Sequence, residues 1–287
     1  MSGAVQAEYA PPTGPDASAP KRRRWLLAAT VAWALLLGLL AWISVRDDAP
    51  TVREQRSLAE AGPRVDAAVG ELVAASGPAV LELIPPQVER GCRLTPLADG
   101  ATLTRDVEAV GAAGAERDLL EGIADRLPAS WRAGVRLTPD GVRLRADAGE
   151  FVSVEGRPTA DGRVRLTVET GCRPLGAGYT PAAGAPAGGA AGAEVTALTG
   201  ALRALGDPAD AAPEMVTAPC PGGGVARTAR SATGGGAATA ATALAPLATG
   251  GPVLDTPEAY AYRTGAVVVL ADTAPNHPHV SATTPCQ

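Results

Sequence analysis

The sequence predicts an α+β protein: one N-terminal transmembrane helix followed by two similar small modules, each made of helices packed on an antiparallel sheet and closed by a disulfide. Three observations predict this class: an uncharged apolar run at Trp25–Val45, four cysteines that all follow it, and an order of helical and strand-like patterns that occurs twice. The predicted segments are a disordered cytoplasmic tail with a basic flank (1–24), the transmembrane helix (25–45), a juxtamembrane spacer (46–62), extracytoplasmic module 1 (63–174), an Ala/Gly/Pro linker (175–191) and extracytoplasmic module 2 (192–287).

The apolar run Trp25–Val45 has the length and the flanks of a membrane anchor. At about 1.5 Å per residue it covers about 31 Å, which matches a hydrocarbon core of about 30 Å. Lys21–Arg24 precede it, whereas Arg46 behind it is offset by Asp47 and Asp48, so the positive-inside rule places the N-terminus in the cytoplasm. A cleaved signal peptide, the alternative, would have a shorter apolar core and a small-x-small site that is missing here. We therefore expect Trp25–Val45 to hold the protein in the lipid bilayer as an uncleaved, single-pass signal-anchor.

The composition restricts the compartment and the partners. The chain has 24 Arg and one Lys and is rich in Ala, Gly and Pro, a bias typical of a high-GC bacterial genome. Residues 46–287 carry 21 Arg against 28 Asp and Glu, a net charge of −7. Such an acidic exterior argues against nucleic acid as a partner.

All four cysteines (Cys92, Cys172, Cys220 and Cys286) lie in the region that we place outside the cytoplasm. An even number of cysteines in an oxidising compartment predicts two disulfides, for which three pairings exist. A zinc site is the competing interpretation, but the spacings of 80, 48 and 66 residues contain no C-x-x-C pair.

The order of elements in the first module predicts helices and strands in alternation. A helical pattern starts at Val65 and stops at Gly77-Pro78, and a second helix is predicted over 115–127. The predicted strands are 79–84, 88–94 with Cys92, 102–110, a hairpin that turns at Pro139–Gly141, 151–154, and 164–168 leading to Cys172.

The same order is predicted after the linker. A helix at 195–205, a strand at 214–218 leading to Cys220, a helix at 237–247 and a final strand ending in Cys286 follow one another. The match is local at 138–145 and 256–263, which share the pattern Thr-Pro-acid-small-apolar-x-apolar-Arg. A repeat favours the pairs Cys92–Cys172 and Cys220–Cys286, and chance similarity in an Ala-rich sequence is the alternative.

Motifs for chemistry are missing from the sequence. It contains no G-x-S-x-G, no S-x-x-K and no phosphate-binding loop with Lys-Ser/Thr. His277-Pro278-His279 is the one suggestive site for a metal, but no H-E-x-x-H or acidic third ligand accompanies it. We assign no catalytic, cofactor-binding or metal residue, and the cysteines are the only site residues that we predict.

Two functions from different classes fit these features. The first is a non-enzymatic binding or interaction module of the cell envelope, whose partner is an envelope protein, a polymer or a small ligand, with the cleft between the modules as the default site. The alternative is an envelope hydrolase or transferase with a carboxylate site between the two modules. Convergent acids in a closed pocket would favour the enzyme, and a solvated sheet face would favour binding.

The predicted orientation is testable with a fusion of alkaline phosphatase to the C-terminus. We expect an active fusion, because that enzyme needs disulfides that form only outside the cytoplasm. Phosphatase activity of intact cells is the measurement, and a fusion with the N-terminus is the control that should be inactive. An inactive C-terminal fusion at normal abundance would overturn the orientation.

Overall fold

The computed structural model describes residues 20–47, 56–160, 162–180, 192–207, 212–232, 237–273 and 278–286. The chain divides into two compact units, Met1–Pro50 and Thr51–Gln287. Residues 1–19 of the predicted tail (1–24) lie outside the described residues, and residues 20–24, which include the basic flank, belong to a helix.

The described residues of the first unit form one helix, α1 (Pro20–Asp47). Its segment Arg24–Ile43 has a mean hydropathy of 2.3 over 20 residues, and none of this segment is buried. By length and composition the helix is able to cross a membrane, and the same test is passed by signal sequences near an N-terminus. The predicted N-terminal apolar helix is therefore present.

The second unit contains four helices and thirteen strands in its described part. The helices are α2 (Leu58–Ala75), α3 (Glu116–Arg126), α4 (Ala193–Leu205) and α5 (Ala237–Leu244). The strands are β1 (Val80–Leu83), β2 (Gln87–Thr95), β3 (Ala98–Val110), β4 (Gly134–Thr138), β5 (Gly141–Asp147), β6 (Ser153–Ala160), β7 (Arg163–Glu169), β8 (Glu214–Pro219), β9 (Val225–Ala232), β10 (Pro252–Asp255), β11 (Ala259–Thr264), β12 (Val267–Asp272) and β13 (His279–Thr284). Short 3₁₀ turns at Ala129–Trp131 and Ala245–Leu247 follow α3 and α5.

The strands form two antiparallel sheets. Sheet A has the order β1-β3-β7-β6-β5-β4, with β2 also paired to β3, and sheet B has the order β10-β11-β12-β13-β9-β8. Strands β1 and β2 lie one after the other along the same edge of β3, since Leu83 pairs with Val107 and Gln87 with Thr104. Pro85 and Pro86 separate them, because proline has no N–H with which to continue a ladder.

The strand order β2-β3-β7-β6-β5-β4 of sheet A corresponds position by position to β8-β9-β13-β12-β11-β10 of sheet B. A local hydrogen bond is shared as well. The hydroxyl of Thr138 donates to the carbonyl of Gly141 at 2.8 Å, and that of Thr256 donates to the carbonyl of Ala259 at 3.2 Å. The two sheets with their helices confirm the predicted α+β class, and the internal repeat stays a prediction.

Two disulfides are present, Cys92–Cys172 and Cys220–Cys286. The first joins edge strand β2 to the segment after β7. The second joins the residue after edge strand β8 to the segment after β13, and β7 and β13 have the same place in their sheets. These are the pairs that the repeated order predicts. No free cysteine occurs among the residues that the structure describes.

Helix α2 begins at Leu58, seven residues before the predicted start at Val65. Ser57 and Glu60 form a capping box, in which the Ser57 side chain accepts from the Glu60 amide and the Glu60 carboxylate accepts from the Ser57 amide. The pKa of Glu60 is lowered by these hydrogen bonds from Ser57. The helix continues through Pro63, so Gly62-Pro63 does not end it, and part of the predicted spacer belongs to the folded unit.

The predicted linker also starts later than residue 175. Leu175 and Tyr179 pack against the same core as α2, and the Tyr179 hydroxyl donates to Asp66 at 2.7 Å. Residues 181–191 lie outside the described residues.

The two sheets share their apolar cores. Val216 and Ala218 of β8 belong to the core that α2 forms with sheet A. A second shared cluster joins Val80 and Val110 of sheet A to Leu270 of sheet B and its neighbours. The predicted modules are therefore two parts of one compact unit, and packed side chains occupy the region where we expected a cleft.

Helix α2 lies between the sheets and contacts both β3 and β8. Eleven of its eighteen residues are buried, which leaves only a narrow exposed stripe. At Gly70 the helix touches the other sheet so closely that an added Cβ would lie 1.7 Å from the carbonyl oxygen of Pro219. Only glycine permits this approach.

We expect Gly70→Ala to destabilise the fragment 51–287 by about 3 kcal/mol, the upper end of the range for overpacking, because its neighbour is backbone and has no rotamer to change. Gly200→Ala in α4 is the matched control, since nothing lies within 4 Å of its Cβ position. That variant should gain about 0.4–1 kcal/mol from the lower entropy of the unfolded chain. Both free energies of unfolding are measured by denaturant titration, followed by the fluorescence of Trp131, the only tryptophan after residue 42. Equal stabilities of the two variants would contradict the close contact at Gly70.

Candidate functional site

Strand β1 is the place where sheet A meets sheet B. All four of its residues are buried. The amide of Leu83, on the edge that faces away from β3, donates to the Thr228 hydroxyl at 3.0 Å, and this hydroxyl is 2.7 Å from that of Thr283. The edge of sheet A is thus covered by side chains of sheet B, which protects it from pairing with other chains.

Glu82 of β1 carries a buried negative charge into this junction. Its carboxylate is 2.6 Å from the Arg230 guanidinium and 3.0 Å from Nε2 of His279. His279, which we considered as a metal ligand with His277, therefore contacts a carboxylate in the junction. His277 lies outside the described residues.

A second buried ion cluster joins Glu108 of β3, Arg163 of β7 and Asp272 of β12. The guanidinium of Arg163 contacts both carboxylates, and all three side chains are almost fully buried. Burial by itself lowers the pKa of Arg163, but Glu108 and Asp272 raise it above its ordinary value. Arg163 therefore stays charged and holds two strands of different sheets together.

A third buried network surrounds Arg105, which points from β3 towards α2. Its guanidinium contacts the carboxylate of Asp66 and donates to the backbone carbonyl of Thr217 at 2.9 Å. The Tyr179 hydroxyl completes the network through its bond to Asp66. Burial, together with the neighbouring Asp66, raises the pKa of Tyr179 well above its ordinary value. One arginine thus connects α2, β3, the start of the predicted linker and β8.

The opposite face of sheet A carries a row of arginines, which we call the arginine face: Arg136, Arg143, Arg145, Arg157 and Arg165. The register places them on one side of the sheet, away from the face on which α2 and α3 pack. A shallow depression over the β4–β5 hairpin is lined by four arginines, among them Arg132, with Gly134, Thr138 and Asp140. This side of sheet A is therefore solvated where Arg136, Arg145 and Arg157 are exposed.

The arginine face contains like charges directly across from one another. Arg136 pairs in register with Arg143, and Arg157 pairs with Arg165. Like charges in such positions destabilise a sheet. The register Leu144↔Gly156 also brings Arg143 beside Arg157. The arrangement therefore opposes folding unless something else compensates for it.

Only some of these arginines are compensated by acids. Glu155 is 3.0 Å from Arg145 and 3.9 Å from Arg143, and Asp140 is 3.7 Å from Arg143. Arg165 is 3.6 Å from Glu108 at the junction. Arg136 and Arg157 are exposed and form no ion pair with any residue in the described part of the chain.

Sheet B uses the corresponding face in a different way. The matching turns, Thr138–Gly141 and Thr256–Ala259, make Ala261 the counterpart of Arg143. Ala261 is fully buried and packs with Val80 and Val110 of sheet A. In sheet A the same side packs against sheet B only at Val80 and Val110, and it is charged and open further along, over β4, β5 and β6.

The predicted site residues can now be placed. The four cysteines form the two disulfides, and none of them lines the depression over the β4–β5 hairpin. No group of three or more His, Cys, Asp or Glu side chains with a geometry that could hold a metal occurs among the described residues. The arginine face was not predicted as a site, because alternating Arg and Glu indicate only a solvated face until the register shows which charges oppose each other.

Comparisons with protein family models, with curated proteins and with solved structures find no match to this chain.

The ion cluster at the junction predicts a large effect of Arg163→Met. This change leaves Glu108 and Asp272 buried without their cation, so we expect a loss of about 3–5 kcal/mol in the unfolding free energy at neutral pH. Arg157→Met, on the same sheet face but exposed and without an ion pair, should stay within about 0.5 kcal/mol of the parent. Denaturant titration of the fragment 51–287 compares them. A small loss for both variants would show that the cluster does not hold the sheets together.

Proposed function

We propose that this protein is a single-pass membrane protein of a bacterial envelope that presents a non-enzymatic binding module on the outer side. The anchor is Trp25–Val45, within the apolar helix α1. The basic residues before it favour a cytoplasmic N-terminus. The two disulfides support an oxidising compartment for residues 51–287.

The observation that carries the proposal is the arginine face. Its strands belong to a sheet that is backed by α2 and α3 and closed by the Cys92–Cys172 bridge, so the side chains are displayed from a rigid support. Opposed arginines in a folded protein reduce stability. A loss of stability of this kind is typical of functional sites, and here a bound anion would supply the missing countercharge.

The alternative is a hydrolase or transferase whose carboxylates lie between the two modules. Glu82, Glu108 and Asp272 do converge on the junction, and each of them contacts a guanidinium group. A general acid or base must reach the substrate and exchange a proton with it. Buried acids paired with arginine are suited to structural roles, which favours the binding module over the enzyme.

Incubation of the full chain in detergent with cell-wall fragments of a high-GC bacterium separates the two functions. We expect the protein to sediment with the fragments and to release no soluble products over time, since the proposed site holds a ligand and carries out no reaction. Asp272→Asn removes the charge of one junction acid while Glu108 still pairs with Arg163, so this variant should fold and its binding should equal that of the parent.

Time-dependent release of soluble fragments that this variant no longer produces would favour the enzyme. Absence of the parent protein from the pellet, with no release of products, would contradict both functions.

A further inference from the structure

We propose that the arginine face binds a linear anionic polymer through its phosphate or carboxylate groups. This inference rests on the proposed function, because it names the class of ligand that the binding module takes. The site is the side of β4, β5, β6 and β7 that faces away from α2 and α3. Its central residues are the exposed Arg136 and Arg157 and the half-buried Arg143 and Arg165.

The four central arginines form a row across the strands. Each of them lies on a different strand, and adjacent strands are about 4.8 Å apart, so the row extends over about 14 Å. A single small anion would contact one or two of these guanidinium groups. A chain that runs across the strands would meet all four in succession.

The chemistry of the side chain determines the class of group that is bound. The guanidinium group offers a planar fork of donors that matches the two oxygens of a carboxylate or of a phosphate. Arg136 and Arg157 have these donors available, since neither is paired with a described acid. Glu155 holds Arg145 and Arg143 through exposed ion pairs, which are weak and easily exchanged for those of a ligand.

The open shape of the site favours a polymer over a small molecule. The depression over the β4–β5 hairpin is lined mainly by exposed charged side chains, with Asp140 at its rim. Contacts at such exposed positions are individually weak, so useful affinity requires several of them on one ligand. A chain with regularly spaced charges meets this requirement.

Other polyanions fit the face less well. Single-stranded nucleic acids bind to surfaces on which aromatic rings stack the bases. The residues of the arginine face and its depression are charged or small, and none of them is aromatic. An acidic membrane surface would be favoured by apolar side chains that insert between the headgroups. Leu137, the exposed apolar residue of β4, lies one position from Arg136 and therefore on the opposite face.

The test uses the full chain in nanodiscs of zwitterionic lipid. Labelled inorganic polyphosphate and labelled polygalacturonate are the two probes, and neutral dextran of similar length is the control. Binding is measured by fluorescence anisotropy. We expect one or both polyanions to bind and dextran not to bind. With four phosphates contacted at a salt slope of about 0.7 each, polyphosphate affinity should fall about 50-fold between about 50 and about 200 mM salt.

Matched variants separate the arginine face from charge in general. Arg136→Gln combined with Arg157→Gln removes the two cations that pair with no described acid. We expect about tenfold weaker binding, a smaller salt slope and a Tm equal to or above that of the parent, because the repulsion from Arg143 and Arg165 is relieved. Arg90→Gln is the control, because Arg90 is exposed and pairs in register with Ala101, which places it on the other side of sheet A. Its affinity should equal that of the parent.

Each further outcome is decisive. Binding of polyphosphate alone or of polygalacturonate alone identifies the anionic group, and both cases support the proposal. Equal losses in the Arg90 variant and the double variant would overturn it, as would a failure to bind either polyanion.

Binding of phosphatidylglycerol vesicles without binding of polyanions would assign the face to the membrane surface instead. If the double variant still sediments with cell-wall fragments, the proposed function stands and only this ligand class is wrong.

Discussion

The close approach of helix α2 to strand β8 is the constraint on which the rest of the second unit depends. Because α2 lies between the two sheets, it must be buried on two sides and keep only a narrow exposed stripe. Gly70 meets this demand where the helix backbone reaches Pro219. The disulfide Cys220–Cys286 lies beside the same point, since the Cys286 sulfur is 3.9 Å from the Gly70 carbonyl oxygen. A side chain here would push α2 away from a segment of sheet B that the disulfide holds in place.

The buried charges follow from this same packing. Helix α2 and strand β1 are largely buried, so their polar backbone and side-chain groups are removed from water. Each of these groups needs a hydrogen-bond or ion-pair partner. Arg105 reaches Asp66 and the Thr217 carbonyl, and Arg163 reaches Glu108 and Asp272. In both cases one guanidinium group connects parts of sheet A to parts of sheet B. Buried ion pairs of this kind add little stability on balance, but the loss of one partner is costly because it leaves the other charge buried alone.

The local features of this fold could be predicted from the sequence, and the long-range packing could not. Residues close in sequence determine the hairpin turn at Pro139–Gly141 and the helices and strands on either side of each cysteine. The order of those elements predicted the disulfide pairs that are present. The start of α2 was missed because Gly62-Pro63 is a stop signal on local grounds, while the capping box at Ser57 and burial of Leu58 against the core outweigh it. The packing of the two modules against each other depends on apolar residues such as Val80 and Leu270. No local sequence pattern indicates which distant residue each of them contacts.

The candidate site has the same origin as the fold, because the two sheets share a strand order but use the equivalent face differently. In sheet B small apolar residues such as Ala261 allow the face to pack against β1 and β3, which completes the unit. In sheet A the corresponding positions carry arginines, and opposed charges at Arg136 and Arg143 would prevent a second sheet from packing there. The arginines therefore confine the packing of sheet B to the β1 and β3 end of sheet A and leave the same side open over β4, β5 and β6. A face that excludes an apolar partner and concentrates guanidinium groups in an otherwise acidic domain selects for anionic partners.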